Sequence, residues 1–123
     1  MGKSRAVLRK WTGRIRTGQG EEYVRYVMAT GGGDFAKTPG NLGFQILLRD
    51  LGDGTSEVSA LSWWKSMDAV RAFAGADPEI ARYYPDDDRF LVDRPKLVEH
   101  HTVVIGHPEH HTVVIGHPEL DSD

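Results

Sequence analysis

Residues 100–109 read HHTVVIGHPE, and residues 110–119 repeat the same ten letters without a mismatch. The HTVVI core of the unit is β-branched and reads as a strand. The chain therefore offers two segments for one place in a sheet, and any fold must seat one and dispose of the other. Ten is an even number, so a slip by one full copy keeps every side chain on its original face. His100, Thr102 and Val104 of the first copy are thereby interchangeable with His110, Thr112 and Val114 of the second. Seating the second copy would enlarge the preceding loop, at a cost on the order of 1 kcal/mol. The shorter connection favours the first copy, leaving the surplus to add a strand in cis or by exchange between protomers. Removing one copy leaves a natural last strand and an acidic tail. Residues 1–108 accordingly read as the domain, and 109–123 as the duplicated copy and tail. Identity without drift implies a very recent duplication or deliberate construction, and favours an engineered variant able to adopt alternative strand registers.

Upstream, residues 5–16 alternate as a strand with Val7, Arg9, Trp11, Gly13 and Ile15 on one face. Glu21 and Glu22 open a helix to about Thr30, acidic in its first turn, with Tyr23, Tyr26 and Val27 facing the core. Gly31-Gly32-Gly33 is expected to end it and to begin a glycine-rich loop over 31–43. A phosphate-binding reading of that loop lacks the following Lys-Ser/Thr and a helix at its end. Phe44–Asp50 and Glu57–Trp64 read as strands joined across Leu51-Gly52-Asp53-Gly54. Ser66 caps a helix to Ala74, which Gly75 stops. Asp77-Pro78 is expected to start a helical turn through about Tyr83. Residues 85–88 read as a loop, 90–92 as a short apolar piece, Pro95 as a break, and Leu97–Ile105 as the last strand.

Strand, helix, strand, strand, helix, strand is the split βαβ order of a ferredoxin-like α+β fold. Two helices cover one face of such a sheet. Trp63 and Trp64 point to opposite faces of one strand, so both faces need cover, and a homodimer is the expected source of the second layer. The net charge is −3. The basic residues Lys3, Arg5, Arg9, Lys10, Arg14 and Arg16 have no aromatic-interleaved or helical reading motif, so no nucleic-acid partner is expected. There is no cysteine, which excludes disulfides and thiolate chemistry. No stretch has membrane length and no signal peptide opens the chain. The expectation is a soluble cytoplasmic protein.

Ser62-Trp63-Trp64-Lys65-Ser66, Phe73-Ala74-Gly75, the run Ala81-Arg82-Tyr83-Tyr84-Pro85-Asp86-Asp87-Asp88-Arg89-Phe90-Leu91, and Val98-Glu99-His100-His101 carry a resemblance. Over residues 5–106 the chain resembles the antibiotic biosynthesis monooxygenase-like branch of the dimeric α/β-barrel superfamily. The resemblance implies two ferredoxin-like subunits with a pocket in each between sheet and helices. It further implies oxidation of an aromatic phenol without a cofactor. Trp64 matches the pocket tryptophan of heme-degrading relatives. Ala74 and Trp11 stand where those relatives carry histidine and asparagine, which points away from heme.

Cofactor-free oxygenation needs a base to form a phenolate and a dry aromatic pocket. His100 is the candidate base, since its ordinary pKa lies nearest neutrality. Tyr23, Tyr26, Trp64 and Tyr83 are the candidate pocket. The alternative is that these aromatics fill core and dimer interface, in a non-catalytic small-ligand or interaction module whose extra strand drives higher assembly. Arg49 or Arg82 could hold an acidic substrate, or serve as surface ion-pair groups. No metal site is expected: His100 and His101 alternate across a strand, and His107 and His110 could share an ion across a turn only with a third ligand, such as Glu109, that the sequence does not position.

Overall fold

The computed structural model describes residues 5–106. Strand β1 (Val7–Arg16) leads through a single 3-10 turn into helix α1 (Gly20–Ala29). Helix α2 (Gly31–Lys37) follows, then the hairpin β2 (Asn41–Asp50) and β3 (Thr55–Trp64). Helix α3 (Met67–Ala74), a 3-10 segment Pro85–Arg89, and the short strands β4 (Leu91–Asp93) and β5 (Glu99–Thr102) complete the chain. The antiparallel sheet runs β2-β3-β1-β4, with β5 also on β1. This is the ferredoxin-like α+β order, with its fourth strand split in two. β4 pairs with Arg14 and Ile15, and β5 pairs with Val7 through Lys10.

The first three strands and α3 follow the sequence pattern. Ser66 accepts the backbone N–H of Ala69 at 3.2 Å as the N-cap of α3, satisfying one orphan donor of the first turn. The alternation of β1 places Val7, Arg9, Gly13 and Ile15 in the interior. Their cross-strand partners Trp64, Ser62, Val58 and Ser56 are interior as well.

Four expectations are corrected. The triple glycine does not begin a loop but lies in α2. Phe35 is buried there among the rings of Phe44, Trp64 and Phe73, and this packing outweighs the poor helix propensity of glycine. Gly32 also permits close approach, since a Cβ there would lie 3.1 Å from the Val27 carbonyl and 3.2 Å from Met28 Sδ. Asp77-Pro78 does open a turn, closed by Ile80 N–H to the Asp77 carbonyl at 3.1 Å, but it does not continue to Tyr83. The backbone groups it would use are taken by a neighbouring segment: Ala81 N–H donates to Lys96 O, and Val98 N–H to Glu79 O, both at 2.8 Å. That pairing draws Leu97 and Val98 away from β1, so the last strand is shorter than 97–105. Residues 85–88 are 3-10 rather than irregular, because the Asp87 carboxylate accepts the Tyr84 N–H at 2.7 Å and fixes the turn.

The first copy of the repeat supplies His100–Thr102 to β5, and Val103 N–H adds a bond to Ala6 O at 2.9 Å. The second copy, with His110, Thr112 and Val114, and the candidate ligands His107 and Glu109 lie outside the described residues. No helix among the described residues is long and apolar enough to cross a membrane.

The helix-covered face holds two clusters. Val7, Phe35, Phe44, Trp64, Val70 and Phe73 form one. Ile15, Tyr23, Val58, Phe90 and Leu91 form the other, with Trp11, Tyr26, Val27 and Tyr83 packed against them. The opposite face carries Leu8, Leu61, Trp63 and Leu47 by the same register; Leu47 is 45% exposed.

Candidate functional site

Beside the second cluster lies a half-open cavity of about 90 Å³ between sheet and helices, reached by side chains from β1, α1, α2, β2, β3 and residues 82–91. Its walls combine the aromatic Trp11, Tyr23, Phe35, Tyr83 and Tyr84 with the aliphatic Val27, Ile46, Val58, Ala60 and Leu91. Polar atoms enter from Thr30, Arg82 and Asp87.

Trp11 reaches this position because of the residue two places on. Trp11 and Gly13 share a face of β1, and the indole lies over the glycine; a Cβ at Gly13 would come within 2.6 Å of its ring carbons. The indole N–H then donates to the Tyr83 hydroxyl at 3.0 Å, with the two rings edge to face. The Tyr83 hydroxyl in turn donates to the Pro95 carbonyl. This relay ties β1 to the segment before β4 and to the connection between β4 and β5.

At the rim, Arg82 donates to Asp34 Oδ2 at 3.3 Å and to the Phe73 carbonyl at 2.8 Å, and lies over the Tyr84 ring. The Tyr84 hydroxyl donates to the same Asp34 carboxylate. Arg82 is thus already paired. The expectation that it could hold an acidic substrate meets a guanidinium whose charge Asp34 offsets.

Asp87 is different. It is 7% exposed, accepts the Tyr84 N–H, and has no cation within ion-pair distance among the described residues. Beside it, the Tyr26 hydroxyl is buried without a partner of hydrogen-bonding geometry. Burial first, and then the Asp87 charge, hold the Tyr23 phenol well above its ordinary pKa. Burial and the proximity of Asp87 do the same for Tyr26. Burial also raises Tyr83, and burial with the bond to Asp34 raises Tyr84. Every tyrosine around the cavity is therefore a neutral phenol and a hydrogen-bond donor at neutral pH, not a base.

The expected site residues separate in space. Tyr23 and Tyr83 line the cavity, and Tyr26 packs behind Tyr23 and against Phe90. Trp64 sits in the other cluster, fully buried, its N–H donating to Ser62 Oγ at 2.9 Å. His100 is not among the cavity residues. It lies across from Arg9 on the neighbouring strand, with its Nε2 3.1 Å from the guanidinium, which fixes Nε2 as the acceptor. Arg9 is 5% exposed and also donates to the Pro78 carbonyl at 2.5 Å. Burial and the charge of Arg9 lower the His100 pKa, so its neutral form is favoured. Burial and the charge of Arg82 bring Arg9 down to about 10. Sequence reasoning did not place Trp11 or Asp87 at the site. Among the described residues no three His, Asp or Glu side chains converge as metal ligands.

No family model matches the chain, and no curated protein matches it either. Solved structures do. A candidate antibiotic biosynthesis monooxygenase from Bacillus cereus is 20% identical with a TM-score of 0.56, and the match covers 83% of this chain and 96% of that one. A similarly described protein from Caulobacter crescentus is 17% identical at a TM-score of 0.57, covering 83% and 92%. A heme-degrading protein from Mycobacterium tuberculosis, in its heme-free form, is 21% identical at 0.53, covering 82% and 96%. These likenesses establish that the ferredoxin-like fold is shared along nearly the whole of those chains.

Proposed function

We propose that the chain is a monooxygenase-like protein of the dimeric α/β-barrel type, and that its ligand is a planar aromatic phenol seated against Trp11 and Tyr83. The observation that carries the reading is the aromatic cavity between sheet and helices. Its walls suit the faces and edges of a ring. At about 90 Å³ it is smaller than the roughly 150 Å³ apolar cavity that takes up benzene. A ring would therefore enter only in part, with the rest of the ligand standing at the open mouth. The fold shared with antibiotic biosynthesis monooxygenase-type structures supports oxygen chemistry. The size of the cavity and the absence of histidine from its lining among the described residues argue against heme.

The test is a panel of mono- and bicyclic phenols incubated with the full chain under dioxygen, following binding, oxygen uptake and product mass. Binding with oxygen uptake and addition of oxygen to the ring is the expected outcome. Binding without uptake would replace this reading with the second one, a non-catalytic module for the same ligand. What favours the second reading is that the cavity tyrosines are held neutral and that His100 lies outside the lining.

A homodimer completes the proposal, with a second copy covering Leu8, Leu47, Leu61 and Trp63. The duplicated strand remains compatible with two registers, but they are unequal. Glu99–Thr102 of β5 recurs as Glu109–Thr112, whereas buried Val98 corresponds to Pro108, which has no N–H for the Glu79 carbonyl. The first copy is the favoured occupant for that reason. Deleting 110–119 should leave the unfolding midpoint within a degree or two. A marked fall in the midpoint would show that the second copy holds the fold, and light scattering across concentrations would report any strand exchange.

A further inference from the structure

We infer that Asp87 is the ligand's hydrogen-bond acceptor, which makes the cavity selective for neutral phenols over phenol ethers and over anionic aromatics. The inference rests on the proposed function in taking the Trp11–Tyr83 cavity as the ligand site, and it favours the second, non-catalytic reading of that site, because a site that keeps the phenol protonated does not form the phenolate that cofactor-free oxygenation needs. It goes further by assigning the residue that selects the ligand.

The argument begins from a carboxylate in an unfavourable place. Asp87 is the middle residue of three consecutive aspartates. Its neighbours Asp86 and Asp88 are exposed, whereas Asp87 is buried and lines the cavity. A buried carboxylate is costly unless paired or fully hydrogen-bonded. The Tyr84 N–H engages its Oδ2, and the Tyr26 phenol beside it is a second neighbouring donor that lacks good hydrogen-bonding geometry. No cation compensates it among the described residues. Arg82, the cationic group of the lining, is committed to Asp34 and the Phe73 carbonyl. The remaining acceptor capacity of Asp87 sits at an aromatic-walled cavity, and a ligand O–H can complete it.

The rest of the lining fixes the class of ligand. Neutral tyrosines give the site donors but no second charge, and the local charge left uncompensated is negative. A benzoate or a phenolate brought in would face that charge in a poorly solvated space. A phenol ether fits by shape but leaves Asp87 without its donor, and an unmade bond to a buried charged group is heavily penalised. A neutral phenol satisfies both conditions.

The probe is 4-nitrophenol, whose absorption band distinguishes phenol from phenolate, compared with 4-nitroanisole. Both are titrated into the full chain, with intrinsic tryptophan fluorescence as the binding signal. The expected result is that nitrophenol binds as the neutral phenol, even at a pH where the free probe is largely phenolate. It should bind at least tenfold more tightly than nitroanisole. Asp87→Asn keeps an acceptor for the Tyr84 N–H but removes the charge. In that variant the preference should fall to about twofold or less, and phenolate should appear in the bound state. The His100→Gln variant should bind like the parent chain. Equal affinity for both probes in the parent chain, or bound phenolate there, would overturn the assignment even if the Asp87 variant did not fold. Undiminished selectivity in a folded Asp87→Asn protein would overturn it as well. In both cases the cavity reading stands, because the probes still bind. Failure of both probes to bind would remove the cavity reading together with the assignment.

Discussion

Trp11 and Trp64 stand on the same face of the same sheet, yet they belong to opposite ends of the core and do different work. Trp64 is fully buried, its ring packed edge to face with Phe35 and tilted against Phe73, and its N–H satisfied two residues away within its own strand. Its surroundings are apolar and filled. Trp11 is partly exposed, its N–H satisfied by a residue more than seventy positions on, and its ring forms the wall of a cavity. Around it are phenols, a paired arginine and an uncompensated carboxylate. One end stabilises the fold; the other spends stability on polar groups that, in the proposed reading, a ligand completes.

Substitutions at the filled end should carry the largest stability cost. Trp64→Ala removes a fully buried indole and is expected to cost about 3–5 kcal/mol, a large part of the stability of a domain this size. Chemical denaturation would measure it. Trp11→Ala should cost about half as much, since the ring is partly exposed and one net hydrogen bond contributes about 1 kcal/mol; it should abolish probe binding. Equal costs at the two positions would erase the distinction between the ends.

Gly13→Ala sharpens the comparison without touching the tryptophan. The new methyl cannot coexist with the indole in its place. Trp11 must swing out and release Tyr83, at a cost of about 1–3 kcal/mol. Ligand affinity should fall at least tenfold, as read by titration calorimetry. Retained affinity would mean that the indole position is not what shapes the site.

The smallest effect concerns pH. His100 is held neutral beside Arg9, so its folded pKa lies below its unfolded value. As pH falls below about 6.5 the unfolded chain takes up a proton that the folded chain resists, and stability declines until the folded pKa is passed. At higher pH this contribution to stability is fully present. His100→Gln should flatten the slope of the thermal midpoint between pH 7 and 5. An unchanged slope would place the acid sensitivity elsewhere.

Most of the fold is written locally. The alternation of β1 and β3, and the Ser66 cap with its Gly75 stop, are near-neighbour signals, and the structure follows them. The departures are long-range. Phe35 turns a glycine triplet into a helix through contacts with β2, β3 and α3. Residues 79–81 pair with 96–98, which no periodicity in either segment announces. The site is harder to read than the fold for the same reason. Asp87 sits in an acidic run that looks solvated, and only burial under Tyr23 and Tyr26 separates it from Asp86 and Asp88. Trp11 did carry a signal: a tryptophan followed two residues later by glycine on one strand face leaves room for the ring to lie down. Tyr23 and Tyr83 were legible as aromatics near a pocket, whereas Trp64 and His100 belong to the filled end and to the β1–β5 seam.

The most direct measurement is a ¹H–¹⁵N titration of the full chain with 4-nitrophenol, following the indole N–H signals of its three tryptophans, assigned by Trp→Phe substitution. The Trp11 signal should shift in proportion to occupancy while Trp64 stays fixed. A shift at Trp64 with Trp11 unmoved would place the ligand at the filled end and contradict this account.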